Sequence, residues 1–183
     1  MYLEKSLGIF MGAFVVWGFL MALFFNLMLR LYRAKNDTKL IWCSFVMALS
    51  YGVSDHFFDF FSGVEVYLTW FYYDLVTLLL ISPILFVPSR RSLSPGVTYV
   101  LIGLSFNSLL MLSMHYDIVI RENYTSWWLW SVYSIGINLA DLIMIVALIV
   151  DRDFLCIIRI KNICKEQLTK KSDWFFFKCF SLQ

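Results

Sequence analysis

The stretch Asn138-Leu139-Ala140-Asp141-Leu142-Ile143-Met144-Ile145-Val146-Ala147-Leu148-Ile149-Val150 sets one carboxylate above an unbroken apolar run. In water such a helix would have no polar face to present, whereas hydrocarbon asks for none. Extended back to Trp127, the run reaches about 24 residues, enough at about 1.5 Å per residue to cross a bilayer core about 30 Å thick. The reading is therefore a transmembrane helix that carries a charge-capable group near mid-bilayer.

The whole chain shares this character. Of its 183 residues 61% are hydrophobic and only 15% charged, and the mean hydropathy is +0.74. Soluble domains carry about a quarter charged residues, so the composition excludes that class. A formal charge of +2 offers nothing to hold nucleic acid. At about 20 residues per crossing, the length accommodates about five spans with short connectors. Apolar runs over about 7–29, 40–61, 66–87, 97–116 and 127–150 satisfy that count.

The expected fold is thus all-α: a polytopic integral membrane helical bundle of five transmembrane helices in one domain, 1–151. A basic cytoplasmic tail, 152–183, follows. The first run lacks the basic start, short apolar segment and small-residue site of a cleavable signal, and reads as an uncleaved span. Gly8 and Gly12 there form a small-xxx-small pair suited to close helix approach.

Orientation follows from the basic residues. Thirteen of the fifteen Lys and Arg fall in the connector 30–39, the connector 88–92 and the tail, while Lys5 and Arg121 fall on the other side. Basic loops stay cytoplasmic, which predicts an outer N-terminus and an inner C-terminus in a bacterial inner membrane or another cell membrane. Trp127, Trp128 and Trp130 then lie in the outer interfacial belt. Cys43, Cys156, Cys164 and Cys179 fall at or near the inner face without metal-binding spacing and are expected to stay reduced. The sequon Asn123-Tyr124-Thr125 faces outward close to the membrane. In the tail, Ile157, Ile158 and Ile160 alternate with Arg159 and Lys161, and Trp174-Phe175-Phe176-Phe177 follows, as in an amphipathic segment lying on an anionic leaflet.

The polar residues inside the spans recur at helical spacing. Ser44, Ala48, Tyr51, Asp55 and Asp59 make one stripe; Trp70, Tyr73, Asp74 and Thr77 a second; Gly103, Asn107, Met111 and His115 a third; Ser131, Ser134, Asn138 and Asp141 a fourth. Turning every stripe inward keeps them from lipid. Asp55 and Asp59 lie in the outermost turns, Asp74 deeper and Asp141 deepest, so the expected interior is an outward-open polar cup over an apolar inner half.

No Lys or Arg lies within these spans, so Asp141, Asp74, Asp55 and Asp59 must hold protons or a cation, or be hydrogen-bonded. Asp141 is expected to bond Asn138 or Ser134. These four acids with Asn138 are the candidate cation or proton site, and His56, Asp59 and His115 the candidate metal ligands. The plain structural alternatives are helix ends wetted by external water for Asp55 and Asp59, and interhelical glue for Asp74 and Asp141.

Three function classes fit: ion- or proton-coupled transport, a non-catalytic subunit or regulator bound to another membrane protein or to its own copies, and an intramembrane hydrolase. For the last, Tyr73-Asp74 is similar to half of the intramembrane aspartyl protease signature, but Asn138-Leu139-Ala140-Asp141 lacks the Gly-x-Gly-Asp half. A metal-dependent hydrolase would have to use His56, Asp59 and His115 without HxxxH or HExxH spacing. No phosphate loop, dinucleotide fingerprint or haem-attachment motif is present, so a bound cation is the one expected non-protein component.

Overall fold

A computed structural model describes residues 2–57, 66–86, 93–159 and 163, with the backbone alone for 2–9, 55–57 and 86. The described residues are helical, joined by turns and loops. The elements are α1 (Tyr2–Leu31), α2 (Thr38–Phe57), α3 (Val66–Ile81), α4 (Pro83–Phe86), α5 (Pro95–His115), a π-helical turn Tyr116–Ile120, and α6 (Trp128–Val150). The chain divides into two compact units, Met1–Asp151 and Arg152–Gln183.

Within the first unit the long helices close a ring. α1 packs on α2, α2 on α3, α3 on α5, α5 on α6 and α6 back on α1, while α2 and α5 also touch. Glycine sets two of the closest approaches. A Cβ on Gly18 would sit 2.5 Å from Ile145 Cδ1, and one on Gly103 2.5 Å from Met144 Sδ, so the Ile145 and Met144 side chains of α6 pack directly onto the bare backbone of α1 and α5. Gly12, of the expected glycine pair, lines the cavity described below.

Outward faces are apolar. Phe10, Phe14, Trp17, Met21 and Phe24 on α1, and Ile135, Leu139 and Leu142 on α6, are exposed, while Asn26, Ser44, Asn107 and Asp141 are buried. Apolar outside and polar inside is the distribution that a lipid solvent selects. Among the described residues, four segments are long and apolar enough to cross a membrane: Phe10–Leu31, Val66–Leu85, Pro95–Ile120 and Trp128–Val150. α2, described as far as Phe57, is not among them.

The expected boundaries shift in two places. The third run is broken at Ser82, with Pro83 opening the single turn α4, because proline cannot supply the next helical N–H. The fourth run does not end near 116. The backbone winds on as a π-helical turn to Ile120 and thereby buries Asp117, just beyond the expected end of that span. That carboxylate accepts the indole N–H of Trp127 at 2.7 Å and of Trp130 at 3.3 Å, and the Asn123 amide at 3.2 Å.

At the opposite end of the bundle, Asp151 closes α6 in the left-handed conformation, φ 46°, and its N–H reaches Ala147 O. Its carboxylate accepts the Gly96 N–H at 2.8 Å and the Ser94 hydroxyl, and pairs with Lys35 Nζ. One side chain thus supplies an anion to the orphan amides at the start of α5 and ties down the α1–α2 connector. Further inside, Asn26 Nδ2 donates to Ser44 Oγ at 2.9 Å and to the Leu148 carbonyl, one of the last four carbonyls of α6, at 3.0 Å.

Candidate functional site

Along each long helix, the residues toward one end pack solidly and those toward the other open a cavity. The solid half is built from Phe19, Met47, Ile81, Leu104, Met144 and Leu148, all fully buried. Beyond them lies a cavity of about 540 Å³. α1 contributes Met11, Gly12, Val15 and Val16; α2 Tyr51 and Ser54; α3 Trp70; and α5 Met111. α6 contributes Tyr133, Ser134, Ile137, Asn138 and Asp141. The alternation of helix directions makes this possible, since residues 11–16 of α1 and 133–141 of α6 stand at the same level.

Asp141 is 5% exposed and is the acid on the cavity wall. Its Oδ1 accepts the Tyr51 phenol at 2.6 Å and Asn107 Nδ2 at 2.9 Å. The polar stripes of α2, α5 and α6 therefore meet at one carboxylate oxygen. Phe19 lies against Tyr51, with ring centroids 4.5 Å apart, and fixes the phenol from the apolar side. Both donors use Oδ1, and among the described residues Oδ2 has no hydrogen bond. Asn107 Oδ1 is likewise buried without a partner. The site thus presents one committed and one uncommitted carboxylate oxygen in a mostly apolar, aromatic-lined space.

The remaining candidates are placed as follows. Asp74 on α3 is half-buried and within electrostatic range of Asp141, but no hydrogen bond joins the two among the described residues. A carboxylate dyad sharing a proton, as aspartyl protease chemistry needs, is not formed between them. Asn138 lines the cavity, yet its Nδ2 donates to the Ser134 carbonyl at 2.7 Å, and among the described residues Asp141 bonds Tyr51 and Asn107 in place of the expected Asn138 or Ser134. The reason is helical geometry: with three residues between i and i+4, a short amide reaches its own preceding turn more readily than a carboxylate three positions on. Asp55 and His56 lie in the last turn of α2 with side chains outside the described residues, and Asp59 lies outside them altogether. His115, at the end of α5, is half-buried with Nδ1 enclosed and unpartnered. No group of three metal-ligating side chains occurs among the described residues. Cys43 is buried and Cys156 exposed, both as free thiols; Cys164, Cys179 and most of the expected amphipathic tail, Trp174–Phe177 included, lie outside the described residues.

No family model, curated protein or solved structure matches this chain. Fold and site by themselves define its class: a helical membrane bundle with a buried aspartate on the wall of a half-open cavity.

Proposed function

We propose that the protein is a small five-crossing membrane protein whose Asp141 cavity takes up a cation or proton from the outer side, in ion- or proton-coupled transport. The observation that carries this reading is the position of Asp141, on the cavity wall directly above the packed half of the bundle. An aspartate there, without Lys or Arg in the spans, is matched in charge only by something that enters. The packed half between cavity and opposite end makes passage conditional on rearrangement of Phe19, Met47, Leu104 and Met144, as alternating access requires.

Several features support the topology. Trp42, Phe45, Leu49 and Val53, at spacings of three and four, form an exposed apolar stripe on α2 that suits lipid and makes it the fifth crossing. Lys35 of the first basic connector meets Asp151 at one end of the bundle, beside Ser94, and a basic connector there supports a cytoplasmic end, with the cavity toward the outside of a bacterial inner membrane or other cell membrane. The tail from residue 152 is then a cytoplasmic segment.

The test is flux in proteoliposomes under an imposed pH gradient, with and without Na⁺ or K⁺. Wild type is expected to dissipate the gradient and Asp141→Asn to lose that activity. Wild-type vesicles that behave like empty ones would remove the reading.

A second reading, a subunit or regulator docked on another membrane protein or a second copy, draws on the exposed Ser131 of α6. A hydroxyl on an otherwise apolar outer face suits a helix–helix contact. Recovery in mild detergent as a lone monomer that is active in lipid argues against it.

A further inference from the structure

Resting on that cation reading, we infer that the cavity's substrate is an organic ammonium ion with an apolar body, bound by Asp141 Oδ2 and by the aromatic side chains around it. A bare alkali or divalent ion needs four to eight oxygen ligands close together. Among the described residues the cavity offers one uncommitted carboxylate oxygen, with Ser54, Ser134 and Asn138 as further polar groups. The Ser54 hydroxyl and the Asn138 amide are tethered to their own helices, at Tyr51 O on α2 and Ser134 O on α6, so the oxygens that remain stand apart on two elements. Asp74, a further described acid near Asp141, does not line the space.

An ammonium ion asks for something different. It needs one anion for its charge, aromatic faces for its weakly hydrated surface, and apolar walls for its substituents. Tyr51, Trp70 and Tyr133 line the space together with Met11, Val15 and Ile137. Tyr133 is held in place by an edge-on contact with Tyr67 at 5.6 Å and by its hydroxyl against Met111 Sδ at 3.5 Å. A volume of about 540 Å³ is far larger than a metal ion requires and falls within the range of small-molecule sites, about 300–1,000 Å³. Because Tyr51 and Asn107 both donate to Oδ1, they fix the carboxylate while leaving Oδ2 to the ligand. The ammonium group could belong to a free amine or to the headgroup of an amine-bearing phospholipid, and the chemistry of the contact is the same.

The experiment is equilibrium binding of benzyltrimethylammonium to the full chain in nanodiscs of phosphatidylglycerol, with empty nanodiscs as the blank. Saturable one-to-one binding is expected, weakened at least tenfold in Asp141→Asn and several-fold in Tyr133→Leu. The asparagine is isosteric and keeps an acceptor for Tyr51, so it separates charge from folding. Adding phosphatidylethanolamine distinguishes the sources: competition with the probe identifies a lipid headgroup as occupant, and unchanged binding identifies a free amine. No saturable binding, or binding equal in wild type and Asp141→Asn, overturns the inference. Asp141-dependent proton or Na⁺ flux without probe binding overturns it alone and leaves the cation reading intact. Probe binding that depends on Asp141, without any flux, removes transport and keeps the ligand.

Discussion

The Tyr51 phenol on α2 donates to Asp141 Oδ1 on α6 at 2.6 Å, joining two helices 90 residues apart in sequence. This contact, with Asn107 on the same oxygen, makes the site a junction of three helices. Interhelical hydrogen bonds in membranes average about 0.6 kcal/mol and reach about 1.7 kcal/mol. A phenol on a buried carboxylate belongs near the top of that range, so Tyr51→Phe is expected to destabilise the bundle by about 1–2 kcal/mol. In an Asp141→Leu background the same substitution should cost much less. Unfolding equilibria in detergent for the four proteins of this double-mutant cycle measure the coupling, and strictly additive losses would contradict it.

Asn26 performs a comparable task in the packed half, where its amide serves Ser44 Oγ and the Leu148 carbonyl. Asn26→Leu removes both donations and leaves a late α6 carbonyl buried without a partner. A loss of about 1–3 kcal/mol is expected, read as a lower unfolding midpoint. The site cavity lies at the other end, so ligand binding per folded molecule should stay unchanged. A drop in activity without a drop in stability would show that Asn26 serves the pathway instead.

These two contacts show how far the sequence carries. Helical periodicity placed Tyr51, Asn107 and Asp141 on inward stripes, because a polar side chain in a membrane helix has only the interior to face. Periodicity fixes the face and the depth of a residue, and not which of several polar neighbours it reaches. Spacing alone points Asp141 to Asn138 or Ser134 on its own helix, whereas its partners lie on two others. Asn26 is a lone polar residue in the first apolar run. Its meaning depends on a carbonyl of α6 that is free because the helix ends at Val150, a fact of tertiary structure. Asp117 and Asp151 each flank an apolar run, and each is folded back to collect donors from a neighbouring segment, which no spacing in the sequence reveals.

The Asp117 cluster makes its own prediction. Trp127, Trp130 and Asn123 all donate to this one carboxylate, which anchors the loop between the π-helical turn and α6. Asp117→Leu keeps the branching at Cγ and removes every acceptor. Amides of residues 121–127 should then exchange with solvent at least tenfold faster, about 1.4 kcal/mol of lost local protection, with little change in the packed half. Equal exchange in both proteins would mean that the indoles hold the loop by packing alone.

Glycine offers the sharpest contrast in packing. A Cβ on Gly96 would stand 2.8 Å from the Ala147 carbonyl oxygen, 3.0 Å from Leu40 Cδ1 and 3.1 Å from Asp151 Oδ1, so the nearest obstacle is backbone and cannot swing aside. One on Gly52 would meet nothing within 4 Å. Gly96→Ala is expected to cost about 1–3 kcal/mol by forcing α5 away from α6. Gly52→Ala should leave stability unchanged or raise it by up to about 1 kcal/mol through helix propensity. The Gly96 substitution also disturbs the carboxylate of Asp151, whose removal in Asp151→Ala should cost about 1–2 kcal/mol on its own by uncovering the α5 amides and freeing Lys35. Because both changes act on one junction, the double variant should lose less than the two losses combined. Full additivity in the unfolding midpoints would mean that the steric and capping roles of this corner are independent, and that Gly96 is needed only for its size.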